Sequence, residues 1–200
     1  MSIKNQRNKR KYRLLSFIYD NTVDNYWFNR ARQREFELAQ IQPNQRVLVV
    51  GIGTGLDIPY LPTFAEVIGI DLSKEMLSSA KQKAVNCNIS LYEMNAEQLS
   101  FADQSFDIVV LNLILSVVED PSQTMREVSR VLKLAGSIWI LGKFIESKVG
   151  PVRKVLSFIT SAFGGANLNL SLNELIKGLP LIRSYTERGV LADIIHLKSL

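Results

Sequence analysis

A glycine-rich turn between two apolar runs constrains the fold of this chain more than any other feature. The first run, residues 47–50, leads directly into Gly51-Ile-Gly-Thr-Gly55, and the second, residues 67–70, ends at Asp71. Glycines allow the backbone to approach a ligand where a Cβ would collide. The N–H groups at the start of the following helix attract a carboxylate or phosphate. A carboxylate after the second strand can accept hydrogen bonds from ribose hydroxyls. The pattern therefore predicts a nucleoside cofactor.

The rest of the chain alternates apolar strand patterns with helical ones. Further strands are predicted at residues 89–92, 106–111 and 138–141, and helices at 27–39, after Ser73 and after Asp120, with both Ser73 and Asp120 as N-caps. Strands that are apolar throughout indicate a parallel sheet covered on both faces. The last third predicts helices at 149–163 and 175–179, then a hairpin of strands 181–185 and 191–197 that turns at residues 187–189. This order predicts an α/β fold with a doubly wound sheet.

Composition excludes several classes of protein. The 200 residues are 46% hydrophobic and 22% charged, which is typical of one soluble globular domain. One cysteine, Cys87, and one histidine, His196, leave no basis for a disulfide or a metal site, so no metal is expected. No apolar run is long enough to span a membrane, and a cytoplasmic location is expected.

The net charge of +5 is unevenly distributed. Six basic residues precede the first acidic one, Asp20; they are Lys4, Arg7, Lys9, Arg10, Lys11 and Arg13. Such a block suits nucleic acid phosphates or anionic lipid head groups, and it is equally typical of a solvated terminus. If lipid is the partner, the protein is expected at the inner face of the membrane as a peripheral protein.

The spacing of the glycines favours one nucleoside cofactor over another. Dinucleotide sites favour G-x-G-x-x-G, whereas here Gly55 comes one residue early and Leu56 takes the third glycine's place. Residues 46–145 resemble the class I S-adenosylmethionine-dependent methyltransferases. The matching segments are Val47-Leu-Val-Val-Gly-Ile-Gly-Thr-Gly55, Gly69-Ile-Asp-Leu-Ser73 with Met76-Leu77, Asn95-Ala-Glu97 and Ser105-Phe-Asp-Ile-Val-Val110. The resemblance implies a Rossmann-like, seven-stranded sheet of order 3-2-1-4-5-7-6 with strand 7 antiparallel, and S-adenosylmethionine as cofactor.

The resemblance also implies a role for individual residues. Gly51, Gly53 and Gly55 would cradle the methionyl end, Asp71 would hold the ribose, Leu72 and Met76 would flank the adenine, Asn95 and Ala96 would face its edge, and Leu111 and Asn112 would line the transfer site. Two positions depart from the family pattern. Val49 stands where relatives often carry an acid, so Asp57 is a candidate substitute for holding the methionine ammonium. Asn95 stands where Asp is common, and it can still accept a hydrogen bond through its amide oxygen.

Three features point to an amphiphilic methyl acceptor. The basic block leads into an apolar-aromatic segment, residues 14–19, that would suit an interfacial helix, and residues 149–163 are a second amphipathic candidate. The third is a resemblance to bacterial phospholipid N-methyltransferases, carried by Ile114-Leu-Ser-Val-Val-Glu-Asp-Pro121, by Gly53-Thr-Gly-Leu56 with Pro59, and by Tyr19-Asp20. The phosphatidylethanolamine N-methyltransferases usually have Asn-His-Phe where this chain has Gly142-Lys143-Phe144.

These features give an expected organisation and a set of acceptor-side residues. The expected layout is one domain, 1–200, with a basic helical cap at 1–40 and a substrate-side insertion at 144–180. Tyr19 is the candidate catalytic residue that closes over the cofactor and orients an acceptor amine, and Ser116 and Lys143 are substrate candidates. Alternatives remain open: a quinone or other small-molecule methyltransferase, or a protein that binds the cofactor without catalysis. A nucleic-acid methyltransferase is disfavoured, because Asn112-Leu-Ile-Leu115 stands where an Asn-Pro-Pro-Tyr motif is expected.

Overall fold

The computed structural model describes residues 24–85, 87–144 and 170–200, and these build a seven-stranded sheet. Its strands are β1 (Arg46–Val50), β2 (Glu66–Asp71), β3 (Ile89–Glu93), β4 (Phe106–Asn112), β5 (Leu132–Gly142), β6 (Leu181–Glu187) and β7 (Asp193–Ser199). They are ordered β3-β2-β1-β4-β5-β7-β6. Strands β1 to β5 pair in parallel, and β7 is antiparallel to both of its neighbours. The predicted fold class and strand order are confirmed.

The central strands are buried on both faces of the sheet, which explains why they are apolar throughout. Along β1, Leu48 and Val50 face one core and Val47 and Val49 face the other, and none of the four is exposed. One core contains the buried residues of two helices, α3 (Pro121–Val131) and α4 (Leu172–Ile176). The other contains residues from α1 (Tyr26–Ala39), α2 (Lys74–Lys83) and a 3-10 turn at Ile58–Tyr60.

Side-chain caps fix where the helices begin. Asn25 accepts hydrogen bonds from the backbone N–H groups of Trp27 and Phe28 at the start of α1. Ser73 caps α2 and Asp120 caps α3, with Pro121 in the first turn of α3. Both predicted caps are thus confirmed, and each satisfies an N–H group that the helix itself leaves unpaired.

Three element boundaries differ from the prediction. Strand β5 begins at Leu132, directly after α3, and not at residue 138; the backbone at Ala135, with φ 57°, is an irregularity within the strand. Helix α4 begins three residues earlier than predicted. The hairpin turns at residues 188–192 rather than 187–189, because the β6 pairing extends to Glu187.

Several expectations lie outside the described residues. They are the role of Tyr19, the basic block, the segments 14–19 and 149–163, and most of the expected cap and insertion. Among the residues that are described, no helix has the length and apolar character needed to cross a membrane.

Candidate functional site

A cavity opens at the edge of the sheet where the parallel strands β1, β2 and β4 end. This edge is where ligands bind in open α/β sheets, because the loops that leave the strands diverge there. Its lining comprises Gly51, Gly53, Ile70, Asp71, Leu72, Ser73, Met76, Met94, Asn95, Ala96, Glu97, Asn112, Leu113, Ile114, Val117 and Val118. Eight of the predicted cofactor residues are in this set: Gly51, Gly53, Asp71, Leu72, Met76, Asn95, Ala96 and Asn112.

Asp71 joins the glycine turn to the start of α2. One carboxylate oxygen accepts a hydrogen bond from the Gly53 N–H at 3.0 Å, and the other accepts one from the Ser73 N–H at 2.9 Å. Burial raises the pKa of Asp71, and backbone hydrogen bonds from Ser73, Gly53 and Leu72 oppose that rise. Each carboxylate oxygen has two lone pairs, so both retain the capacity to accept a hydrogen bond from a ribose hydroxyl.

The glycines of the turn have different surroundings. All three predicted glycines have positive φ, which favours a residue without Cβ. Of the atoms in the described ranges, a Cβ on Gly53 would meet only the Gly51 carbonyl oxygen, at 4.0 Å, so this backbone is open towards the cavity. A Cβ on Gly55 would lie 2.7 Å from the Ile58 side chain and 3.0 Å from the Ala80 backbone. Gly53 therefore leaves room for a ligand, whereas Gly55 lets the turn pack against α2.

A second wall of the cavity is built after β3. The Asn95 side-chain oxygen accepts a hydrogen bond from the Glu97 N–H at 3.0 Å, which closes a tight turn. The Glu97 carboxylate accepts from the N–H groups of Glu119 and Asp120, at 2.9 and 3.0 Å, and so ties this turn to the start of α3. Together with Met76 and Met94, the turn forms a fixed, largely apolar slot suited to a flat base.

The end of β4 brings a polar side chain and a strained backbone to the cavity. Asn112 donates to the Asp57 carboxylate at 3.1 Å and accepts from the Leu141 N–H at 3.3 Å. Leu113, the next residue, has φ 60°, a conformation that costs a non-glycine residue about 1 kcal/mol or more. Such strain is characteristic of functional sites, and here it directs the chain along the cavity wall.

Asp57 does not line the cavity. One of its oxygens accepts hydrogen bonds from both Arg32, at 3.0 Å, and Asn112. Asp57 was expected to hold the methionine ammonium in place of an acid at position 49. In the structure its carboxylate is instead bound to Arg32 and Asn112.

The structure does not bring four of the predicted residues to this cavity. Leu111 is fully buried in the core, and Gly55 packs as described above. The Ser116 hydroxyl donates to the Leu113 carbonyl, and the Lys143 ammonium binds Asp193 and the Gly189 carbonyl, each at 3.0 Å. Lys143 therefore anchors the β6–β7 connection.

Sequence reasoning missed eight residues of the lining: Ile70, Ser73, Met94, Glu97, Leu113, Ile114, Val117 and Val118. A signal for half of them was present, because the segment after β4 must leave the sheet at the same edge as the glycine turn.

The cavity fits the nucleoside cofactor that the sequence predicts. It offers an open backbone at Gly53, a carboxylate at Asp71 and an apolar slot beside Met76 and Met94. Within the described ranges, no three His, Cys, Asp or Glu side chains come together as a metal site would require.

Comparison with known proteins gives concordant results. Residues 48–140 match the family described as a methyltransferase domain. The chain is 39% identical over 114 residues to a phosphatidylethanolamine N-methyltransferase of Cereibacter sphaeroides, covering 55% of this chain and 56% of that one. It is 35% identical over 151 residues to a demethylmenaquinone methyltransferase of Chlorobaculum parvum, covering 74% and 61%. The chain thus spans less than two thirds of the length of either relative.

A solved structure supports the fold. The crystal structure of a S-adenosylmethionine-dependent methyltransferase from Aquifex aeolicus superposes with a TM-score of 0.67 at 18% identity, covering 84% of this chain and 89% of that one. The strand order, the cavity, the family match and the named relatives agree. Residues 48–140 are thus a methyltransferase domain, in a chain with the fold of the S-adenosylmethionine-dependent methyltransferases, and S-adenosylmethionine is the cofactor that this match implies.

Proposed function

We propose that this protein transfers a methyl group from S-adenosylmethionine to a lipid-like or hydrophobic small molecule. The most specific acceptor that we propose is phosphatidylethanolamine. The 39% identity to a phosphatidylethanolamine N-methyltransferase carries this proposal. The apolar side chains of Ile114, Val117 and Val118, which lie in the segment that prompted the phospholipid resemblance, support it because they line the cavity.

The reaction requires little acid–base catalysis by the protein. Methyl transfer is an in-line displacement at a sulfonium methyl, and the leaving thioether needs no proton. The protein must align the acceptor and exclude water, which is the expected role of the apolar wall. An amine acceptor must also be uncharged, and a low-dielectric site favours its neutral form. Tyr19 is proposed to orient that amine.

A second cleft at the same edge of the sheet supports an amphiphilic acceptor. It lies between α1 and the β6–β7 connection, and it combines exposed apolar groups with guanidinium groups. Tyr26 and Trp27 are 65% and 53% exposed, and Val190 is 69% exposed. Arg30 and Arg188 are also in the lining. Aromatic rings beside cationic groups suit a molecule with an apolar body and a phosphate.

The basic N-terminal block is proposed to bring the protein to an anionic membrane surface, where such an acceptor is found. Six basic residues within the first 13 and none of opposite charge support this, since each contributes to attraction towards acidic lipid.

A quinone is the second candidate acceptor. The 35% identity to a demethylmenaquinone methyltransferase favours it, and that alignment covers more of this chain than the phospholipid enzyme does. A quinone would accept the methyl at carbon, and its apolar tail would suit the same cleft.

Transfer of a radiolabelled methyl group into a cell extract tests the proposal. The extract is separated into lipid, nucleic acid and small polar fractions after incubation with protein and labelled S-adenosylmethionine. We expect label in lipid that comigrates with methylated phosphatidylethanolamine. Label in a quinone would select the second candidate, and label in nucleic acid would overturn both. A Trp27→Ala variant should bind the cofactor normally yet label lipid less, because only the proposed acceptor cleft is changed.

A further inference from the structure

A buried carboxyl group lies near the Arg32–Asp57 ion pair and Asn112. Glu35, in the third turn of α1, has no exposed surface. Among the described residues, neither of its carboxyl oxygens has a hydrogen-bond partner. Buried polar groups are nearly always paired, and an unpaired one costs folding free energy. Glu35 has no evident structural benefit to offset that cost.

The neighbours of Glu35 leave it without a counter-charge of its own. Arg32, one turn earlier on α1, donates through its Nε to Asp57 at 3.0 Å, and both side chains are less than a tenth exposed. The Asn112 amide donates to that same Asp57 oxygen. Within the described part of the chain, the cluster thus holds two carboxyl groups and one guanidinium, so an ionised Glu35 would leave one buried negative charge in excess.

This arrangement keeps Glu35 protonated at neutral pH in the free protein. Burial and the neighbouring Asp57 charge raise the pKa of Glu35 to about 8, against the opposing influence of Asn112 and Arg32. These groups come from three elements: Arg32 from α1 itself, Asp57 from the segment after the glycine turn, and Asn112 from β4.

Asn112 connects this cluster to the cofactor. Its side chain contacts Asp57 on one side, and the residue lines the cavity on the other. S-adenosylmethionine carries a sulfonium, an ammonium and a carboxylate, and is therefore a cation at neutral pH. A positive charge that enters a low-dielectric region favours ionisation of a nearby acid.

We propose that Glu35 releases its proton to solvent when S-adenosylmethionine binds, so that the buried cluster presents a net negative charge to the cationic cofactor. Only the carboxyl O–H bond breaks, and no other bond changes. The inference rests on the cofactor and is independent of the acceptor. S-adenosylhomocysteine, the product, lacks the sulfonium charge, so its binding should favour the ionisation of Glu35 less. The cluster thereby favours substrate cofactor over product.

Calorimetric titration measures the released proton. Binding is measured at pH 7.5 in two buffers with different heats of ionisation, without acceptor. The α-amino group of the ligand also titrates, and the sulfonium charge gives it a lower pKa in S-adenosylmethionine than in the product, so each ligand is compared with itself in the wild-type and Glu35→Gln proteins. We expect the wild-type protein to release more protons than Glu35→Gln on binding S-adenosylmethionine, and the two proteins to differ less with S-adenosylhomocysteine. Equal release by the two proteins on binding S-adenosylmethionine would overturn the proposal.

Two variants of Glu35 separate proton linkage from packing. Glu35→Gln keeps the shape but cannot ionise, so only the titration of the ligand itself should remain in its proton release. Between pH 6.5 and 8 the affinity of the wild-type protein for S-adenosylmethionine should rise relative to that of Glu35→Gln by up to about tenfold per pH unit, the limit for one linked proton. Glu35→Asp should restore the linkage.

Glu37→Gln, the same substitution on the exposed side of α1, is the matched control and should behave as wild type. Wild-type proton release in Glu35→Gln would show that another group titrates and would overturn the proposal.

Discussion

At the scale of single residues, Asp71 connects the cofactor to the fold, because its carboxylate already holds the N–H groups of Gly53 and Ser73. Asp71→Asn turns one acceptor into a donor that faces a backbone N–H. We expect the affinity for S-adenosylmethionine to fall roughly tenfold or more, and the free energy of unfolding by about 1–2 kcal/mol.

Calorimetry and urea denaturation measure the two effects. Asp103→Asn is a suitable control, since the Asp103 side chain is 73% exposed and pairs only at the surface with Arg130. Wild-type affinity in Asp71→Asn would remove the proposed ribose contact.

Glu35 should make the stability of the protein depend on pH. Its pKa of about 8 in the folded protein lies above the ordinary value of 4.5, so the folded state keeps a proton that the unfolded state releases. Its contribution to stability is therefore most favourable below pH 4.5 and declines as the pH rises to 8, by about 1.4 kcal/mol per unit. At pH 7 this cost approaches about 3 kcal/mol.

Glu35→Gln, which lacks this cost, should accordingly be more stable than the wild-type protein at pH 7.5. Urea denaturation at pH 5 and 7.5 provides the comparison. We expect the advantage of the variant to shrink strongly at pH 5, and an advantage of the same size at both pH values would contradict the buried titration.

At the scale of elements, the glycine turn separates ligand binding from packing. Gly53→Ala places a methyl group in open space at the cavity, whereas Gly55→Ala drives one into Ile58 and the backbone of α2. Both carry the cost of positive φ, about 1 kcal/mol. Gly55→Ala should lose a further 1–3 kcal/mol of stability through overpacking.

The pair therefore predicts opposite profiles. In Gly53→Ala, cofactor affinity should fall more than stability, and in Gly55→Ala the reverse should hold. Thermal unfolding and calorimetry on both variants provide the measurement. Equal loss of affinity in the two would mean that Gly55 also contacts the cofactor, as the sequence resemblance implies.

The elements themselves could be predicted because each is specified locally. Apolar runs predicted the strands, and the hydroxyl of Ser73 and the carboxylate of Asp120 predicted where helices begin. The start of β5 could not be predicted, since Ala135, which lies between the β4-paired residues Leu132 and Ser137, adopts a positive φ that alanine rarely takes.

The candidate site likewise contains residues that could be predicted from the sequence and residues that could not. Gly53 and Asp71 were accessible from spacing along the chain, because a strand end and its turn are adjacent in sequence. The cluster of Arg32, Glu35 and Asp57 was not, because charged side chains on a helix are ordinarily expected in solvent. The distant Asp57, brought by the turn after β1, gives Arg32 a buried carboxylate partner.

At the scale of the whole molecule, the features proposed to act on the acceptor meet at one edge of the sheet. The cofactor cavity, the strained turn at Leu113 and the cleft between α1 and the β6–β7 connection all lie where the parallel strands end. The antiparallel β7 contributes to this, because it begins beside Gly142, at the end of β5. The cofactor cavity and the second cleft thus open at the same edge of the sheet.

The charge of the molecule supplies the remaining prediction. Residues 1–13 carry six basic and no acidic side chains, whereas the whole chain has a net charge of +5, so attraction to an anionic surface depends on this segment. Each basic residue near an acidic membrane contributes about 1 kcal/mol to the binding free energy, and salt screens that contribution.

Removing residues 1–13 should therefore greatly reduce sedimentation with anionic vesicles at low salt, and hardly change it with neutral vesicles. Unchanged affinity for S-adenosylmethionine in the shortened protein would show that the fold is intact. If sedimentation then persists undiminished, the basic block is not the membrane contact.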